Sequence, residues 1–228
     1  MDVCHYYPHD KEENEVAKAR NCTLYPGVQV GSHVHIGDYA VLGVPFGGRP
    51  LGELKTIIGH GAVIRSHTLI YAGVVIGDRF TADHSVTIHE HAEIGEHVKI
   101  GPHSVVGGHV RIGDNVLIES GVFIAERSTL EEGCWIGPNV VLANTPSPEP
   151  LAPGEGVPGP TVGSNAKIGA NATLLPGIIV GSDALVAAGA VVVENVPDGS
   201  VAVGNPARLI DETSELARSG IAYLTGRQ

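Results

Sequence analysis

Large aliphatic side chains recur at every sixth residue through the middle of the chain, from Ile58, Ile64, Ile70 and Ile76 to Ile136 and Leu142; only Ala82 departs from the rule. A shorter run precedes it (Val30, Ile36, Leu42) and another follows it (Val162 to Val192), each out of phase with the middle one. Residues 43–57 and 143–161 therefore read as loops that interrupt a repeat. The residue after the aliphatic is often Gly, as in "IGD", "IGE" and "IGP", and the residue four after it is small or β-branched, as at Ala62, Thr68 and Val86. A period of six matches neither the 3.6 of a helix nor a long strand of period two. It fits short strands joined by tight turns in which Gly permits φ > 0. Three such hexapeptides close one coil of a prism, so residues 18 apart stack and the aliphatics form a continuous interior ladder. The expected fold is all-β, a parallel β-helix over residues 27–210. A cap over residues 1–26 contains the solvated stretch "DKEENEVAKAR", and a short C-terminal helix within 211–228 opens at Asp211 or Thr213.

Composition narrows the function classes. With 43% hydrophobic residues the 228-residue chain can bury a sizeable core, while 31 Gly, 15 Pro and only 4% aromatics suit stacked short strands. A formal charge of −11 argues against nucleic acid or an anionic membrane as partner, because either needs a cationic face. Cys4, Cys22 and Cys134 form no CxxC pair, so neither a disulfide frame nor a zinc knuckle is implied. The start is too charged for a signal peptide and no apolar run approaches about 18 residues. A soluble, cytoplasmic protein is the expectation.

All 12 histidines precede residue 110. Counting from the ladder, His67, His84 and His103 fall near one prism edge. His89, His91 and His109 fall on a second face, with Tyr71, Glu126 and Asn144 above or below them, and His60 and His97 on the third. None takes an interior position, so most read as an outward polar skin. His84 stands apart, since beside it Ala82 breaks the ladder and Phe80 takes a normally small position. Its imidazole suits a general base near neutral pH. Glu90 is placed to orient an imidazole or to bind an ammonium group.

The segments "WIGPNVVLANTPSPEP" and "IGANATLLPGIIVGSDALVAAGAVVVENVPDGSVAVGNPARLI" resemble the hexapeptide-repeat acyltransferases, closest to those acting on nucleotide-linked amino sugars. That resemblance implies a left-handed parallel β-helix, a homotrimer, and acetyl-CoA as co-substrate with no metal. The acceptor would attack the thioester directly, without an acyl-enzyme. His84 would be the base, and His67, Glu90, Asn144 and Thr145 would meet the acceptor. Asn144 is otherwise a turn residue, and Thr145 stands where the family has Asp, which keeps an O-acetyltransferase in play. Gly169, Ala170, Ala187 and Ala188 would let the pantetheine arm lie against the backbone, beside Gly189. Asn205, Pro206 and Arg208 would stand near the nucleotide, with Lys167 as a second cation; separately, the first loop, "GVPFGGRPLGE", offers Arg49 as a phosphate contact for a ligand that approaches it. The loop 143–161 would lie against a neighbouring subunit. Two other classes stay open. The spacing of His67, His84 and His89 resembles the zinc ligands of gamma-class carbonic anhydrases, and some proteins of this fold are non-catalytic scaffolds.

Overall fold

The sixth-residue aliphatics point inward because two-residue strands, each followed by a four-residue turn, return the chain to the same orientation after three strands. The computed structural model describes residues 16–146 and 158–210, and all its regular elements are strands. They form three parallel ladders, the faces of a triangular prism. Face A includes Val63–Ile64, Thr81–Ala82 and Lys99–Ile100; face B includes Leu69–Tyr71, Thr87–Ile88 and Val105–Val106; face C includes Val75–Ile76, Glu93–Ile94 and Arg111–Ile112. Within the uninterrupted coils a strand pairs in register with the strand 18 residues on, as Thr81 does with Lys99 and Thr87 with Val105; across the two loops the offset is 28 and 32 residues, as for His35 with Val63 and Trp135 with Lys167. The interior is one buried column of Ile, Val, Leu and Ala. The hydroxyls that enter it are bonded to coil carbonyls: Thr68 Oγ1 donates to Asp83 O and Ser104 Oγ to Glu119 O, both at 3.0 Å.

Four features differ from the sequence expectation. The helix begins earlier than residue 27, since Ala17–Lys18 and Thr23–Leu24 already pair with His35–Ile36 and Val41–Leu42. The C-terminal part of the expected cap is thus the first coil, because its short strands find a ladder to join. Second, the Gly after the aliphatic is not the residue with φ > 0. Gly101 is needed for close approach, since a Cβ there would lie 2.6 Å from the Glu119 carbonyl carbon of the next coil. The left-handed residue comes two positions later, at the corner, and it is most often His, Asn or Gly, with Tyr39, Arg79, Ser85, Arg127 and Asp183 at others: His67, His91, His97, His103 and His109 all have φ near 60°. Third, the break at Ala82 is an exchange of volume, because Phe80, 0% exposed, fills the interior that Ala82 vacates. Fourth, the parallel order ends in an antiparallel hairpin, Val201–Gly204 with Ala207–Ile210, turning through a cis Asn205–Pro206 bond.

The loops fall where the phase breaks. One joins Val41–Val44 to Thr56–Ile58, and the other leaves after Val141–Leu142 and rejoins at Thr161–Val162. Most of the latter, the stretch "DKEENE" and the expected C-terminal helix lie outside the described residues. Among the described residues no helix is long and apolar enough to cross a membrane.

Candidate functional site

The prism sorts the sequence candidates onto two of its three edges. Between faces A and B each coil turns through a residue pair, the second of which is left-handed. His84 is the first of its pair; the next rungs in its column are Pro102, Ser120, Pro138, Ala170 and Ala188. His67 is on the same edge but in the adjacent left-handed column with His103, and its ring stacks on Tyr39 at 5.1 Å. Gly169 and Ala187 flank this edge on face A, and Asn205 and Arg208 belong to the terminal hairpin that extends that face. His84 and every expected cofactor residue therefore line one side of the molecule. From His84 to Ala188 the column covers five rungs, roughly 24 Å at the spacing of parallel strands.

The contacts of His84 are specific. Its Nδ1 lies 2.7 Å from Ser66 Oγ, one coil below. The preceding residue, Asp83, is held from the same coil by Arg65, Nε to Oδ1 at 2.9 Å. His84, Ser66 and Arg65 line a groove of about 440 Å³ with His35, Gly37 and Asp38. A larger groove of about 740 Å³ on face C is lined by Glu93, Arg111, Glu131 and Glu132. There Arg111 pairs with Glu93 at 3.6 Å, and Glu131 accepts from Ser164 N and Oγ, each at 3.0 Å. The smaller groove is the one that reaches His84.

Glu90 and Asn144 stand on the other edge, between faces B and C, in one column with Gly108 and Glu126. They share that side of the prism with His89 but not its column, whose rungs above are Gly107 and Ala125. Asn144 Nδ2 donates to Glu126 O at 3.4 Å, and Thr145 Oγ1 donates to Asn144 Oδ1 at 3.2 Å. Glu90 is only 9% exposed, and its Oε2 has no hydrogen-bond partner among the described residues. Its carboxylate lies against Gly108, where a Cβ would come within 3.0 Å of Oε1. His89 Nδ1 is 3.7 Å from the same Oε2, and the His89 ring stacks on Tyr71 at 4.8 Å. Tyr71 in turn meets Phe46 of the first loop edge-on at 6.2 Å. Arg49 of that loop is paired with Glu53 at 2.7 Å.

Within one chain, then, the structure joins His84 to Ser66 and the groove, and Glu90 to His89, but does not bring the two groups together. Sequence reasoning passed over Ser66, although the 18-residue stacking that identifies it was already in the period. Within one chain His67, His84 and His89 lie in different columns on two edges. Among the described residues no three His, Cys, Asp or Glu side chains are grouped to hold a metal ion. Cys134 is no nucleophile: burial pushes its thiol from 9.0 up to about 12, and it lies within the core.

The family model for the bacterial transferase hexapeptide (six repeats) matches residues 73–108, 91–126 and 159–193. No curated protein matches the chain. Among solved structures, the UDP-N-acetylglucosamine acyltransferase from Campylobacter jejuni aligns at 19% identity over 91% of this chain and 83% of its own, with a TM-score of 0.61. That from Bacteroides fragilis aligns at 17% identity over 92% and 84%, with a TM-score of 0.59. The GDP-perosamine N-acetyl transferase from Caulobacter crescentus aligns at 21% identity over 86% of this chain, with a TM-score of 0.40, and the present chain spans 57% of its length. The chain therefore has the parallel β-helix fold, and its coils over 73–126 and 159–193 match the hexapeptide repeat of the bacterial transferases.

Proposed function

We propose that the chain is an acetyl-CoA-dependent acyltransferase that acetylates the amine of a nucleotide-linked sugar by direct attack on the thioester. The observation that carries this reading is the single edge holding an imidazole at His84 and, farther along it, the small residues Ala170 and Ala188 with Gly169 and Ala187 beside them. A pantetheine arm laid along that edge meets backbone rather than side chains and delivers its thioester toward the imidazole. Arg208 and Asn205, exposed on the terminal hairpin, are at the far end, where the nucleotide of CoA would lie. In this reading His84 takes the proton of the attacking amine, and a backbone N–H of the edge stabilises the oxyanion.

The Glu90 edge enters through assembly. The outward strand positions of face B, including Leu69, Thr87, Val105, Phe123 and Val141, carry no charge among the described residues, and Phe123 is 46% exposed. His84 and Glu90 flank the same strand of that face, Thr87–Ile88, and so stand at one height along the prism. A homotrimer with its axis along the prism and its B faces inward brings the His84 edge of one protomer beside the Glu90 edge of the next, because rotation about such an axis involves no shift along it. The unpartnered Glu90 oxygen then has a role, accepting from an acceptor ammonium or hydroxyl. His67 would border the acceptor from the His84 edge, and Asn144 and Thr145 from the other.

The test is thiol release from acetyl-CoA with a panel of nucleotide-linked amino sugars, and with hydroxyl acceptors as the O-acetylation arm. His84→Ala is expected to lower kcat by about 10²- to 10⁴-fold while CoA affinity stays unchanged. A chain that binds no CoA ester, or that holds one zinc per subunit, would overturn the reading.

A further inference from the structure

An imidazole serves as a base only through a nitrogen that carries a lone pair and faces the substrate, and the partner of its other nitrogen decides which one that is. For His84 the partner of Nδ1 is Ser66 Oγ at 2.7 Å. A hydroxyl can donate or accept, so the contact alone leaves the tautomer open. The surroundings of Ser66 decide it. One rung below Ser66 in the same column stands Asp38, and the two line the same groove. A carboxylate accepts hydrogen bonds and donates none, so a carboxylate on that rung favours the rotamer in which the Ser66 hydroxyl proton turns toward it. The Ser66 lone pairs are then presented to the coil above, where His84 Nδ1 lies.

The same two coils fix the backbone and the neighbouring side chain. Arg65 holds Asp83 at 2.9 Å, so the Arg65–Ser66 dipeptide grips the Asp83–His84 dipeptide at both side chains. This pairing also neutralises the carboxylate nearest His84 in sequence. From the coil above, Gly101 and Pro102 bring no charge, and His103 N donates to His84 O at 3.1 Å. The charged or titratable groups about the ring from face A are thus His35, Asp38, Arg65 and Asp83.

We propose that Ser66 is a positioning residue: it accepts from His84 Nδ1–H, holds the imidazole in that tautomer, and leaves the Nε2 lone pair to the groove lined by Asp38 and Arg65. The inference rests on the reading of His84 as the base, but its first test needs no turnover. Long-range ¹H–¹⁵N NMR of the full chain above the titration of the ring is expected to show His84 protonated at Nδ1, and Ser66→Ala is expected to move that proton to Nε2. An Nε2–H ring in the unaltered protein, or a tautomer unmoved by Ser66→Ala, overturns the proposal whatever the activity. In acetyl-transfer assays Ser66→Ala should lower kcat about tenfold, with the KM for acetyl-CoA unchanged and the acid limb of the pH–rate profile displaced. Ser66→Thr, which keeps the hydroxyl, should retain the native rate and profile. A native profile in Ser66→Ala, or a loss in Ser66→Thr equal to that in Ser66→Ala, counts against a positioning role. If no acyl transfer is found at all, the acyltransferase reading fails while the tautomer measurement still decides the role of Ser66.

Discussion

At the scale of single residues, the abundance of histidine in the first half of the chain has a backbone cause. Each coil turns three corners, and a left-handed residue at each is tolerated best by Gly, Asn, Asp and His. His97, with φ of 56°, and Asn115 one coil above it, with φ of 59°, are two solutions to one constraint. We expect His97→Asn to leave stability unchanged. A β-branched residue, as in His97→Val, should cost about 1–2 kcal/mol, read as a lower urea midpoint at unchanged m-value. The outward skin of imidazoles was legible in the sequence, but its reason was not, because φ is not written in a hydrophobic pattern. His84 and His89 fall outside this explanation. Both precede or flank the left-handed corner, and each has a specific neighbour, Ser66 in one case and Tyr71 with Glu90 in the other.

At the scale of the element, the two-residue strand gains little by itself and is held by the rungs on either side. Interior volume is therefore shared between neighbouring inward positions. Phe80 and Ala82 lie two residues apart on one inward flank, and both are 0% exposed. Phe80→Ala should cost about 3–5 kcal/mol through the cavity it opens, and Ala82→Ile about 1–3 kcal/mol through overpacking. Combined as Phe80→Ala with Ala82→Ile, which restores the pattern seen at Ala62 and Ile64, the loss should be largely recovered. A double-mutant cycle in chemical denaturation measures that coupling; additive losses would show that the exchange of volume is not the reason for the irregularity. The same irregularity had singled out His84 in the sequence. The packing explains the break without reference to chemistry, so the case for His84 now rests on its groove and on Ser66.

At the scale of the whole molecule, a prism has three faces that the repeat treats alike and that the outward side chains do not. Face A carries Lys99 and Lys167 and face C carries Glu93 and Arg111, whereas face B is uncharged at these positions. Burying a charge between subunits without a partner is costly, so face B is the one suited to association. Phe123→Glu should convert a trimer to monomers in light scattering, while a control on face C, Thr129→Glu, leaves the mass unchanged. A trimer that survives Phe123→Glu would show that another face makes the contact. The same variant should abolish acetyl transfer even with His84 intact, since the Glu90 edge would be lost from the site.

The sequence by itself determined the solenoid, because a period of six forces every sixth side chain inward and stacks residues 18 apart. It also marked both interruptions, because a loop of arbitrary length shifts the phase of the ladder. Placement of His84 on one edge with Ala170 and Ala188 needed the strand pairing across the second loop, because that loop leaves the register of the last run open. Only the tertiary structure decided the rest. The early start at Ala17 depends on a strand finding a ladder, not on its own two residues. The pairing of Ser66 with His84 and the unpartnered oxygen of Glu90 depend on where side chains turn once they leave the backbone. A repeat fixes the column in which a residue stands; rotamers, charges and the packing of neighbours settle what it touches there.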